Sequence, residues 1–138
     1  MQKLILSICL LSAIVFSGCN AAVDPDNASA ITGTYAMTTY NTYTYSSNQT
    51  LNNSNPPSGN NLIVTKVDKN NVKVVIDYAN NSSADVTLDK MTITKSGSTY
   101  KLAQSFSNAS SSGSITGNTF TLDVNYTNND YVHIVAVR

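Results

Sequence analysis

Ser114-Ile115-Thr116-Gly117-Asn118-Thr119-Phe120-Thr121-Leu122-Asp123-Val124-Asn125-Tyr126-Thr127-Asn128-Asn129-Asp130-Tyr131-Val132-His133-Ile134-Val135-Ala136-Val137-Arg138 is the stretch that decides the fold. Phe120, Leu122, Val124 and Tyr126 alternate with Thr121, Asp123, Asn125 and Thr127, the period of a half-buried strand. Gly117-Asn118 reads as a tight hairpin turn after a short strand at Ile115. Asn128-Asn129 turns the chain into a last strand, Tyr131 to Val137. That strand is apolar on both faces: Val132, Ile134 and Ala136 on one, Val135 and Val137 on the other. A lone edge strand normally carries charge, so this pattern predicts that the strand is paired on both sides.

Working outward, the same period recurs. Gly33, Tyr35, Met37, Thr39, Asn41, Tyr43 and Tyr45 read as one face of a long first strand. Ser46 to Asn61 reads as a polar loop with Pro56-Pro57 and Gly59, long enough to be either a functional flap or a mobile connection. Leu62 to Asp68 is a second strand, and Lys69-Asn70 turns into a third carrying Val72, Val74, Ile76 and Tyr78. From Ala84 to Lys95 the phase changes: Val86 and Leu88 fall on one count, Met91 and Ile93 on the other. A β-bulge at Asp89-Lys90 produces this. After Ser96-Gly97, Tyr100, Leu102, Gln104 and Phe106 are expected to face inward, and Ser110 to Gly113 reads as a loop. The total is about eight strands joined mostly by tight turns. Such a meander predicts an all-β, antiparallel up-and-down barrel of eight strands that closes to remove its edges. The alternative is an immunoglobulin-like β-sandwich, for which only Ser46 to Asn61 could supply a long crossover.

The N-terminus predicts where the chain resides. Met1 to Cys19 has Lys3 as its positive region, an apolar stretch from Leu4 to Phe16, and then Ser17-Gly18-Cys19. The run is short for a bilayer span and fits an export signal. Its end resembles the lipobox of bacterial lipoproteins, which implies that residues 1–18 are removed and Cys19 is lipidated. Residues 19–30 then read as lipidated cysteine and tether, with turn chemistry at Asp24-Pro25-Asp26-Asn27, and residues 31–138 as the domain. The resemblance implies a cell-envelope station, with the outer membrane expected, and a membrane as partner through the lipid.

About 120 residues follow the signal, one domain's worth. Cys9 leaves with the signal, so no disulfide is available and packing alone must hold the domain. After the signal, six Lys and one Arg face eight Asp, a side-chain charge near −1, with no Glu. That balance offers nothing to nucleic acid. The domain is expected to be a monomer.

Ile31-Thr32-Gly33-Thr34-Tyr35 looks like the Gly-X-Trp signature that opens the barrel of lipocalins and other calycins, with Tyr35 in the Trp position. In that family a basic residue near the end of the last strand packs across the aromatic, and Arg138 occupies that place. The run Ser114 to Thr121 is similar to the late hairpin of small lipocalin-like lipoproteins of Bacteroidetes. The resemblance spans roughly residues 31 to 138 and implies a lipocalin-like barrel. Gly33, Tyr35 and Arg138 would form its structural closure, and Ser46 to Asn61 would stand where the family's mouth-covering loop lies.

Chemistry is sparse. His133 is the only histidine, no free cysteine remains after the anchor, and no nucleophile elbow or phosphate loop is present, so neither a metal site nor a catalytic triad is expected. Asp68, Asp77, Asp85, Asp89 and Asp123 read as solubilising surface. The chain is read as a non-enzyme without cofactor. The suggestive inventory is aromatic: Tyr40, Tyr43 and Tyr45 run up to the long loop, and Tyr78, Tyr100, Tyr126 and Tyr131 lie near expected strand ends, where a ring with a polar tip suits a ligand-binding mouth. Tyr43, Tyr45, Tyr78, Tyr100 and Tyr126 are the candidate ligand residues. The leading expectation is a small apolar or amphipathic ligand in the barrel. The alternative is a solid barrel acting as a non-catalytic structural or protein-interaction module.

Overall fold

The computed structural model describes residues 25–53, 56 and 58–138. The signal segment and Cys19 lie outside the described residues. A short helix α1 (Asn27–Ile31) precedes nine strands: β1 (Gly33–Thr44), β2 (Gln49–Asn53), β3 (Asn61–Asp68), β4 (Asn71–Asp77), β5 (Val86–Ser96), β6 (Thr99–Ser105), β7 (Ala109–Thr116), β8 (Thr119–Tyr126) and β9 (Tyr131–Val137). From β3 onward each strand pairs antiparallel with the next, and β1 pairs with both β3 and β9. Eight strands thus close into an up-and-down barrel. The sheet is a single one, which rules out the sandwich. β2 is an extra strand folded back on the far half of β1.

The register arranges the interior in cross-strand rows. Met37, Ala136, Phe120, Ile115 and Tyr100 form one, running from β1 through β9, β8 and β7 to β6. The next is Tyr40, Ile134, Leu122, Gly113, Leu102 and Ile93. Tyr35, Phe120, Leu62, Met91, Leu102 and Leu122 are sealed from solvent, so this part of the barrel is filled by side chains. Gly113 makes room for the largest of them: a Cβ there would sit 2.9 Å from the Phe120 ring and 3.0 Å from the Thr121 carbonyl.

α1 shuts one end. Asp26 caps it, accepting from the Ser29 amide at 3.0 Å, and Ala28 and Ile31 are buried against the core. The Ala28 amide donates to the Lys69 carbonyl in the β3–β4 turn, and Asp26 pairs with Lys66. The last residues of the expected tether are therefore packed as a plug.

Several expectations about local structure change. The bulge at Asp89-Lys90 is present, because Val72 and Val74 face Met91 and Leu88. A second bulge, unforeseen, lies at Thr38: Met37 pairs with Ala136, but Thr39 pairs with Val135. It reverses the faces of β1. Tyr40 and Thr42 turn inward, opposite Ile134 and Val132, while Thr39, Asn41 and Tyr43 turn outward. Part of the expected flap is β2, paired with β1 after a 3-10 turn at Tyr45–Ser47. The serine-rich stretch read as a loop is part of β7, where Gly113 fits against Phe120 and Leu122 and Ser111 pairs with Val124. Phe106 follows the end of β6 and is 38% exposed, at the rim of the barrel and not sealed within it.

Candidate functional site

The end opposite α1 is assembled by the β1–β2 hairpin, the β4–β5 connection, the β6–β7 turn and the β8–β9 turn. Aspartates and asparagines fix these connections. Asp85 accepts from the Tyr78 amide at 2.9 Å, Asp130 from the Tyr45 amide at 2.6 Å, and the buried Asn60 side chain from the Ala79 amide at 3.2 Å. At the other end Asp68 accepts from the Asn70 amide in the same manner. Asp68 and Asp85, read as surface, are turn-fixing acceptors.

Between Val86 and Leu88 on β5, Phe106, Asn108 and Ala109 at the β6–β7 turn, and Val124 and Tyr126 on β8 lies a cleft of about 170 Å³. Its lining is mostly apolar. Just beneath it the interior changes character. The row Thr42, Val132, Val124, Ser111 and Gln104 mixes hydroxyls and an amide with valines. Ser111 is 2% exposed, and its Oγ and the Gln104 Oε1 are buried without a hydrogen-bond partner. Such atoms are rare in native interiors and call for a water or a ligand group. A larger cleft, about 320 Å³, runs along the β1–β2 hairpin, lined by Thr42, Thr44, Gln49, Thr50 and Leu51. It is bounded by one hairpin and mostly polar, so the smaller cleft is the better candidate for an apolar group.

Three tyrosines meet at this mouth. The Tyr78 and Tyr40 rings stand edge to face, 5.8 Å apart at 90°, and the Tyr78 hydroxyl donates to that of Tyr40 at 3.1 Å. Burial pushes the Tyr78 phenol well above its ordinary range; the Tyr40 hydroxyl and the neighbouring Tyr126 and Asp85 add to the shift. The sequence pattern named Tyr40, Tyr78 and Tyr126 in its tyrosine inventory but left Tyr40 off the count shared by Tyr35 and Tyr43, because this threonine- and tyrosine-rich run has no apolar contrast to reveal the bulge at Thr38.

The other tyrosines lie elsewhere. Tyr43 is on the outer wall, stacked on Tyr131. Tyr45 is at the mouth but 59% exposed. Tyr100 is at the plugged end, with the Lys95 ammonium 5.1 Å from its ring centre.

Gly33, Tyr35 and Arg138 come together at the plugged end. The Arg138 guanidinium lies 5.2 Å from the Tyr35 ring centre and donates to the Thr32 carbonyl at 3.1 Å. Gly33 has φ +146°, and its missing side chain leaves Arg138 atoms 3.6–3.7 Å from where a Cβ would stand. The Tyr35 hydroxyl donates to the Ile31 carbonyl at 2.9 Å, which ties the barrel wall to α1. Burial raises the Tyr35 phenol, opposed by Arg138. His133 faces outward and shares a hydrogen bond of 2.6 Å with Asp123. Among the described residues no group of three or more acidic, histidine or cysteine side chains is placed to hold a metal ion.

No family model, curated protein or solved structure matches the chain. The site is therefore defined by its own geometry within a closed antiparallel barrel.

Proposed function

We propose that this chain is a lipid-anchored cell-envelope protein, held through Cys19, whose lipocalin-like barrel binds a small apolar group of an amphipathic molecule at its open end. The observation that carries the reading is the apolar cleft among Val86, Leu88, Phe106, Val124 and Tyr126 at the open end of the barrel. Its volume sets the scale. Cavities of about 150 Å³ take a benzene-sized group, whereas sites that enclose a whole drug-sized ligand span about 300–1,000 Å³. At about 170 Å³ this cleft suits a ring or a short acyl end, with the rest of the ligand outside. The reading is of a binder without catalysis, cofactor or nucleic acid.

Native mass spectrometry of the protein recovered from its own envelope tests this. The expected result is a reproducible extra mass that organic extraction removes and that Val86→Trp, which fills the cleft, abolishes. A mass explained by the covalent anchor alone rejects the carrier reading. A second reading then takes its place: a solid barrel working through its surface, which the filled tiers around Phe120 and Leu122 favour. Cys19→Ser tests the anchor separately, since it should release the protein from the membrane fraction.

A further inference from the structure

The outer wall beside the mouth carries a second set of side chains, on the face of β1 away from the cleft. The register sets Thr50, Tyr43, Tyr131 and Asn125 in one row across β2, β1, β9 and β8. Two residues nearer the plugged end, Asn41, His133 and Asp123 form a parallel row. The Tyr43 and Tyr131 rings are nearly parallel, 20° between planes and 5.7 Å between centres, and Tyr131 is 39% exposed. The Tyr43 hydroxyl donates to the Asn48 side chain at 3.1 Å, and Asp130 holds the Tyr45 amide just beyond it. His133 and Asp123 are joined through Nδ1 and Oδ1, and their side chains are 33% and 44% exposed. These groups stand on four paired strands, so their spacing is set by the ladder and not by a loop.

The chemistry of this wall narrows what it can hold. No Asp, Glu, Lys or Arg occurs between Asn27 and Thr65, which includes all of β1 and β2. In the two rows the only acidic side chain is that of Asp123, beside His133, and neither row holds a Lys or Arg. A phosphate or carboxylate ligand would find no Lys or Arg partner there. An apolar protein surface would bury amides and hydroxyls alongside each ring, at a desolvation cost. A neutral polyhydroxyl ring meets neither obstacle. Its axial C–H groups carry the slight positive charge that an aromatic face attracts. Its hydroxyls both donate and accept, as do Asn41, Asn125 and the His133–Asp123 pair. Neighbouring strands about 4.8 Å apart repeat these groups on the scale of one sugar ring.

We propose that the β2-β1-β9-β8 wall binds a neutral glycan, an equatorially substituted hexopyranose chain laid on Tyr43 and Tyr131 and hydrogen-bonded by Asn41, Asn125, His133 and Asp123. The site is separate from the mouth cleft and stands without it.

The test is a nuclear magnetic resonance titration of the protein with cellohexaose, with chitohexaose and with sorbitol, an open chain that has hydroxyls but no ring face. Saturable shifts at Tyr43, Tyr131 and His133 are expected with at least one hexasaccharide, at a dissociation constant on the order of 1 mM or below, and none with sorbitol. Tyr131→Ala and Tyr43→Ala should each weaken binding about tenfold, an effect on the scale of one lost ring contact. Tyr131→Phe should retain it, and Val86→Trp, which blocks the mouth, should leave it unchanged. Absence of shifts with both hexasaccharides at about ten times that concentration overturns the proposal. So does binding that survives the double Tyr43→Ala, Tyr131→Ala variant, or shifts confined to the mouth residues. Asn125→Ala adds a variant at an exposed position on β8, where a folding defect is not expected. Unchanged affinity there would contradict the hydrogen-bonding role.

Discussion

Gly113 shows how a single residue sets the barrel's packing. It stands opposite Leu122 and beneath Phe120, where any Cβ meets a ring carbon at 2.9 Å and a backbone oxygen at 3.0 Å. Neither neighbour can yield cheaply, since both belong to the sealed core and the β7–β8 ladder. Gly113→Val should therefore destabilise the domain by about 1–3 kcal/mol through overpacking, read by urea denaturation. A variant as stable as the parent would contradict the packing. Tyr35 and Tyr78 make a different residue-scale claim. Both phenols have native values raised by burial, so the neutral form is favoured in the folded state. Their contribution is whole below the unfolded phenol value near 10 and declines as the pH rises past it. Phenolate absorbance should show these two ionising only as the barrel's circular dichroism is lost, and their ionisation in an intact barrel would contradict the burial. Gly33, Tyr35 and Arg138 were singled out through the likeness of Ile31 to Tyr35 to a barrel-opening signature, and the guanidinium lies 5.2 Å from the Tyr35 ring centre. The end of β6 was not legible: alternation continued through Gln104 to Phe106, but the strand stops at Ser105.

At the scale of elements, α1 and its latch make the clearest prediction. The Lys66 ammonium, then the Ser29 amide and hydroxyl, hold the Asp26 carboxyl at about 2. The ionised form is favoured in the folded state, so the contribution is present above the unfolded value near 3.9 and is lost as pH falls through about 2. The Ala28 and Ile31 methyl resonances should move between about pH 4 and pH 2, ahead of those of Leu122 and Val124. If all move together, the helix has no latch of its own. Strands with apolar–polar contrast were legible, including the phase slip in β5 that separates Leu88 from Met91. Where contrast was missing the reading failed. Thr38 to Tyr43 offers only threonine, tyrosine and asparagine, so a one-residue bulge there left no trace and Tyr40 and Tyr43 exchanged faces. β7 was hidden because the space beside Phe120 requires small residues, which read as a loop. α1 has five residues, too few for any helical period to emerge.

At the scale of the whole molecule, closure comes from β9, signalled in the sequence by the meander of tight turns and by this strand's two apolar faces. It pairs with β8 through the preceding turn and with β1 from the far end of the chain. Hairpins are local and can be read from turn residues. The β1–β9 pairing joins segments at opposite ends of the domain, and it was inferred from the lack of an edge strand. The tyrosine inventory pointed to the open end, yet only geometry separated Tyr40, Tyr78 and Tyr126 at the mouth from Tyr43 on the wall and Tyr100 at the plug. The cleft itself, built from β5, the β6–β7 turn and β8, had no local signature. The central claim is a filled barrel with one apolar site at its open end. Methyl resonance spectra of the protein titrated with N-phenyl-1-naphthylamine test it most directly. The account predicts saturable shifts at Val86, Leu88 and Val124, with Leu62, Val72 and Ile31 unmoved. Shifts spread over exposed Leu51 and Val67, or no saturation at any methyl, would contradict it.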